Sequence, residues 1–263
     1  MTVNVLAQDL KFPEGPVVTP DGHIYFVELL GGCITEYRRD SQDLKRFDVG
    51  GSPNGLLVQD NQTLLFCDSE NHAIRSLDIR TGKTKTLVDK VDGQPLQAPN
   101  DLIKDQEGNI LFTCPGQSQN QPIGYICVIN KNNQVSIIAE NMYFPNGLLL
   151  INHDQHIIIN ETWQHRLLIG EWNKETLSID HIQPFYHIGG KAEPDGLTLS
   201  KEKDIYAAVY GTGKIWVFHP NGKLAKHIEL PGQNPTNLCF DNKNLGLIVT
   251  EAEKGMLLSI HTN

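Results

Sequence analysis

The chain has 263 residues, 39% of them apolar and 20% charged, a balance that fits a folded globular chain and excludes a disordered one. Its formal net charge is −9, from 31 acidic against 22 basic residues, with no Lys/Arg block, which excludes the clustered positive charge that a nucleic-acid backbone requires. No apolar stretch approaches the roughly 20 residues of a membrane-spanning helix, and residues 1–10 lack a basic segment followed by an apolar one, so a cytoplasmic protein without membrane partners is expected.

In chain order, a short run at residues 3–7 precedes Pro13-Glu14, after which apolar segments at 17–18 and 24–27 flank an Asp21-Gly22 turn. The next copy of this grammar is the fullest. Pro53-Asn54 leads into residues 55–58, a polar turn at Asp60-Asn61, then runs at 63–67, 73–79 and 84–88, with Thr81-Gly82 as the last turn. Short runs rich in Leu, Ile and Val between Asn, Asp and Gly predict an antiparallel meander of four strands. Pro99-Asn100, Pro145-Asn146, Pro194-Asp195 and Pro235-Thr236 open four more units, each followed by paired apolar runs.

No helical period extends over any long window. Spacings between successive prolines run from 40 (Pro13 to Pro53) to 49 (Pro145 to Pro194), near the blade length of propeller proteins. Six four-stranded units around a channel predict an all-β, six-bladed β-propeller spanning residues 1–263 as one domain. The last unit supplies only three strands, ending at residues 256–260, so residues 3–7 are expected to close the ring as its fourth.

Rotation about one axis would place Glu14, Asn54, Asn100, Asn146, Asp195 and Thr236 in a ring at the channel. Turn chemistry alone accounts for Asn or Asp at any single copy. It does not account for Glu14 in the same slot. Two carboxylates and three amides converging without a basic residue repel and are costly to desolvate, a conflict that a divalent cation resolves. An all-oxygen set suits Ca²⁺, Mg²⁺ or Mn²⁺ best, and Zn²⁺ also accepts carboxylates.

The string Phe12-Pro13-Glu14-Gly15-Pro16, with Pro99-Asn100-Asp101-Leu102, Phe144-Pro145-Asn146-Gly147-Leu148 and Glu193-Pro194-Asp195-Gly196-Leu197, resembles the gluconolactonase and senescence-marker-protein (regucalcin) family in family order. The resemblance covers nearly the whole chain. It implies a six-bladed propeller that holds a divalent cation in its channel and hydrolyses lactones. On that likeness Glu14, Asn146 and Asp195 are the metal ligands, and Asn100 is a further ligand or a substrate-contacting amide. Asp195 is the catalytic candidate, as general base, as nucleophile or as orienter of a metal-bound water. Two positions depart from the family pattern. Ala98 stands where many sugar-lactone hydrolases carry an Arg, and Val18 where a Trp is usual.

Among the remaining polar residues, Glu28, Glu161 and Glu251 each follow a second-strand run and read as solvated strand ends, with channel lining as the alternative. Asn54 reads as a bystander in the ring and Thr236 as structural. His153, His156 and His165 read as surface or turn residues, and the five cysteines as buried free thiols without metal-ligand spacing. No Gly-X-Ser-X-Gly elbow is present. Loops at 94–98, 117–122 and 187–192 are the expected walls of the pocket. The favoured function is a metal-dependent lactonase acting on a sugar-acid or small aliphatic lactone, as a monomer or weak homo-oligomer. A metal-dependent hydrolase of phosphorus esters and a non-catalytic binding propeller are the competing classes.

Overall fold

The computed structural model describes residues 2–241 and 246–261. They form six four-stranded antiparallel sheets and a two-stranded ribbon, Lys90–Val91 with Gln94–Pro95. The first blade is Pro13–Val18, Ile24–Glu28, Cys33–Tyr37 and Leu44–Asp48, paired in sequence order. The innermost strands of the others are Pro53–Val58, Leu102–Lys104, Pro145–Ile151, Glu193–Leu199 and Pro235–Asp241. Each packs on the innermost strand of the next, and the sixth returns to the first, so the sheets close into a six-bladed β-propeller. The only helices among the described residues are two single 3-10 turns, Leu29–Gly31 and Thr162–Gln164.

The two-residue period of the strands builds the core. In the second blade, Leu64 and Phe66 pack towards the first blade while Leu65 and Cys67 pack towards the third. The same alternation in every blade leaves one hydrophobic cluster at each of the six blade interfaces. Burying each such Leu or Phe contributes about 1.5–3 kcal/mol. Four of the five cysteines lie in this core as free thiols, and the fifth, Cys239, is half-buried.

The ring closes as expected. Thr2–Ala7 pairs antiparallel with Met256–His261 in the sixth blade, with Val3 opposite Ile260 and Val5 opposite Leu258. The first and last described strands therefore share one sheet, which gives the sixth blade its full four strands. No helix among the described residues is long and apolar enough to cross a membrane.

Candidate metal centre and active-site cavity

Each innermost strand begins within a few residues of the recurrent proline, which aims the following residue at the axis. Glu14, Asn54, Asn100, Asn146 and Asp195 line one cavity of about 330 Å³ at the end of the channel. Glu14, Asn54 and Asn146 are buried, whereas Asn100 and Asp195 are half-buried and open to the cavity. Thr236, the sixth member, serves the frame. Its hydroxyl donates to the Pro13 carbonyl at 2.7 Å.

That bond belongs to an alternating set. The Ser69 hydroxyl donates to the Pro99 carbonyl at 2.8 Å, and the Thr162 hydroxyl to the Pro194 carbonyl at 2.8 Å. Each of the three pins a proline in the next blade, ahead of Glu14, Asn100 and Asp195. The Asn160 side-chain amide donates to the Asp195 carbonyl, fixing that backbone further.

Beneath the ring the channel holds two polar residues that the sequence reading passed over, Asp101 and Asn237. In four copies the residue after the slot is Gly, and a β-carbon at Gly55 would collide with Asp101, as one at Gly196 would with Asn237. The two larger side chains thus occupy space the glycines leave, and they face the opposite, leucine-rich mouth of the channel. The only signal for them was that Asp and Asn interrupt a column of glycines.

Electrostatically the site is a concentration of carboxylates. Burial, then the Asp101 charge, pushes Glu14 up to about 8, against the opposing hydrogen bonds from the Gly15 amide and Asn237. Burial pushes Asp101 up to about 6. Asp195 is raised by burial and by Glu14 and Asp101, while a hydrogen bond from Asn146 works the other way. No Lys, Arg or His is among the cavity-lining residues. Among the described residues no group of three or more His, Cys, Asp or Glu gathers as a cation site, so a cation here must draw on the amide oxygens as well. Two carboxylates held above their ordinary range beside three amides form a donor set that suits a hard divalent cation.

Three sequence expectations are corrected. Glu28, Glu161 and Glu251 are neither solvated nor channel-lining: each is fully buried. They accept the backbone N–H of Lys11 (3.0 Å), Tyr143 (2.8 Å) and Asn234 (2.9 Å), and Asp68 does the same for Ser52 (3.2 Å). Each of these amides lies one or two residues before a recurrent proline, so the acids hold the segments that carry the ring. Arg46, Arg75 and Arg166 satisfy Glu28, Asp68 and Glu161 at 2.6, 2.7 and 2.6 Å. Burial alone would raise Glu28, but the Lys11 amide, Arg46 and Thr35 together hold it below the usual carboxylate range.

The walls also differ. Of the three expected loops only Gln119 lines the cavity, and the others are Phe12, Leu29, Phe144, Thr162, Trp163, Glu193 and Tyr210. Phe12 and Phe144, each just before its proline, hold a left-handed backbone at φ +57°, and Ala98 does so at +49° before Pro99. Such backbone is strained for residues other than Gly and concentrates at functional sites. Burial and the carboxylates of Asp195 and Glu193 raise the Tyr210 phenol, which keeps it a hydrogen-bond donor. His153 and His165 sit in left-handed turns, and His156 is half-buried on a strand.

Among known proteins, the chain is 25% identical to a gluconolactonase of Zymomonas mobilis, over 94% of this chain and 78% of that one. It is 26% identical to the diisopropyl-fluorophosphatase of Loligo vulgaris, over 94% and 88%. The fold matches that of a calcium-binding regucalcin from Agrobacterium tumefaciens with a TM-score of 0.86, at 18% identity, covering 98% of this chain and 93% of that one. Residues 12–253, from just before the first inner strand to just past the second strand of the sixth blade, match the sequence pattern of one family, and the chain belongs to it: the SMP-30/Gluconolactonase/LRE-like region family.

Proposed function

We propose that this chain is a divalent-cation-dependent hydrolase that opens a lactone ring. The observation that carries the reading is the cavity itself, in which two carboxylates and three amides meet with no basic side chain to balance them. Similarity to a gluconolactonase and to staphylococcal lactonases supports the reaction class.

Glu14, Asn146, Asp195 and Asn100 would hold the cation. When bound, it supplies Lewis-acid polarisation of the ring carbonyl and steadies the charge that develops there. Asn100, half-buried at the open side, orients the lactone and donates its amide hydrogen to the developing oxyanion. Asp195 accepts the proton of the attacking water as general base. Attack forms a bond from water oxygen to the carbonyl carbon, the ring C–O bond then breaks, and the proton held by Asp195 passes to the departing alkoxide. Burial with Glu14 and Asp101 nearby raises the basicity of Asp195, opposing the lowering that a bound cation imposes. The Asn146 amide and the fixed Asp195 backbone keep that carboxylate aimed.

The test is protein stripped with chelator, then supplied with Ca²⁺, Mg²⁺, Mn²⁺ or Zn²⁺ and assayed on aldono- and aliphatic lactones. Chelation removes activity, one or more cations restore it, and Asp195→Ala abolishes it with the fold intact by circular dichroism. Full activity of Asp195→Ala or of the stripped protein refutes the assignment. The similarity to the squid phosphatase favours one second reading, hydrolysis of phosphorus esters by the same ring. Assaying both substrate classes on one preparation separates them.

A further inference from the structure

Above the ring the cavity carries four apolar side chains, in two pairs from opposite blades. The first blade contributes Phe12 and Leu29, and the fourth, which stands opposite it in a ring of six, contributes Phe144 and Trp163. The two Phe residues are equivalent by position, each preceding its proline with φ +57°, and Leu29 and Trp163 are the first and second residues of the two 3-10 turns that follow the second strands. The apolar surface continues outwards. Leu30 is 72% exposed and Trp163 41% exposed, two of the few large apolar side chains left open to solvent among the described residues.

The polar groups above the ring equal the apolar ones in number, four against four. They are Gln119, Glu193, the Tyr210 phenol and Thr162, whose hydroxyl already donates to the Pro194 carbonyl. A polyhydroxylated ring lying between the two apolar pairs would leave the hydroxyls that face them without partners, and such burial is unfavourable. Charge restricts the substrate further. Glu14, Asp195 and Glu193 bring three carboxylates to a cavity without Lys, Arg or His, so even one divalent cation leaves excess negative charge, which repels anions.

We infer that the substrate is an uncharged lactone bearing an alkyl or aryl substituent, which lies between Phe12–Leu29 and Phe144–Trp163, with Trp163 as the main specificity-determining residue. This rests on the lactonase reading and narrows its substrate class. Apolar contact at such a mouth discriminates by chain length, because each buried methylene favours binding by up to about fourfold. The opened product carries a new carboxylate and meets the same repulsion, which favours its release.

The experiment measures kcat/KM for cation-loaded protein on γ-butyrolactone, γ-hexalactone and γ-octalactone, on glucono-δ-lactone, and on a γ-lactone bearing a free carboxylate. The expected series rises about two- to fourfold per methylene, with the polyol and the carboxylate at least tenfold below γ-octalactone. Trp163→Ala lowers the ratio of γ-octalactone to γ-butyrolactone by about tenfold, mainly through KM. Leu30→Ala lowers it less, and Glu193→Gln raises turnover of the carboxylated lactone. A flat or falling alkyl series, or preference for glucono-δ-lactone, overturns the inference while leaving the lactonase reading in place. Absence of turnover of every lactone with every cation overturns both.

Discussion

Without a cation, the ring should make the protein less stable as pH rises through neutrality. Glu14 has a folded-state pKa of about 8 against an ordinary value of 4.5, and Asp101 about 6 against 3.8. Between those limits the folded state binds more protons than the unfolded chain, so stability present at low pH is lost as pH rises towards the folded values. From about pH 5 to about pH 7.5, Glu14 accounts for about 3 kcal/mol of that loss and Asp101 for about 1 kcal/mol. Unfolding entropy of roughly 0.5 kcal/mol/K for a chain of this size turns this into a fall in Tm of at least about 8 °C, since Asp195, raised by burial and the same neighbours, adds to it in the same direction. The assay is differential scanning calorimetry in chelator at both pH values, repeated with millimolar Ca²⁺. A cation prefers the ionised carboxylates, so it flattens the slope and stabilises far more at the higher pH than at the lower. Glu14→Gln in chelator makes the slope shallower, leaving the part that Asp101 and Asp195 contribute. A chelated protein whose Tm is equal or higher at pH 7.5 refutes the electrostatic account of the ring.

Four further outcomes follow from three changes to the frame around the site. Glu161→Ala leaves Arg166 without its 2.6 Å partner and the Tyr143 amide unsatisfied, and should cost about 3–5 kcal/mol in urea denaturation; a loss below 1 kcal/mol would contradict the clamp. The same variant should weaken Ca²⁺ binding by calorimetric titration, since the segment it holds leads to Asn146, with partial recovery in Glu161→Gln. Deleting residues 2–8 strips the outermost strand from the sixth blade, exposes the edge of Met256–His261 and uncovers clusters that Val3, Leu6 and Ala7 cover. Tm should drop by more than 10 °C, and unchanged thermal stability would show that the closure is dispensable. Ala98→Gly, at φ +49°, relieves left-handed strain and should stabilise by about 0.5–1 kcal/mol, read as a higher urea midpoint.

The architecture was legible because a local signal repeats. A proline with its polar follower marks the start of an inner strand, strands of period two carry the core, and six copies leave one closed arrangement. The same repetition brought Glu14, Asn54, Asn100, Asn146 and Asp195 into one cavity, where the structure places them. What escaped were pairings that no local pattern encodes. Glu28 meets an amide 17 residues upstream and an arginine 18 residues downstream, so its charge looked like that of a solvated strand end. Asp101 and Asn237 are explained only by the glycines of neighbouring blades, Gly55 and Gly196, whose missing β-carbons give them room.

The walls differ from the expected loops for a related reason, and the difference bears on function. Long polar loops were expected to shape the pocket, whereas the strained residues before two prolines and the turns after two second strands do so. Phe at positive φ is uncommon enough that sequence gives no warning of it. Yet in the first and fourth blades this conformation places an aromatic ring in the cavity directly beside the strand that carries Glu14 or Asn146, two of the proposed ligands. On the proposed reading, chemistry and selectivity share one short segment. Phe12 and Glu14, like Phe144 and Asn146, are two residues apart across a proline, and the acids Glu28 and Glu161 hold the N-terminal side of both segments. A substitution that loosens either acid should disturb cation affinity and substrate preference together, whereas Trp163, on a separate turn, should alter preference with little effect on affinity for the cation. Paired calorimetric titration and substrate profiling of Glu161→Gln and Trp163→Ala separate the two. Equal effects on both properties in both variants would refute this division of labour.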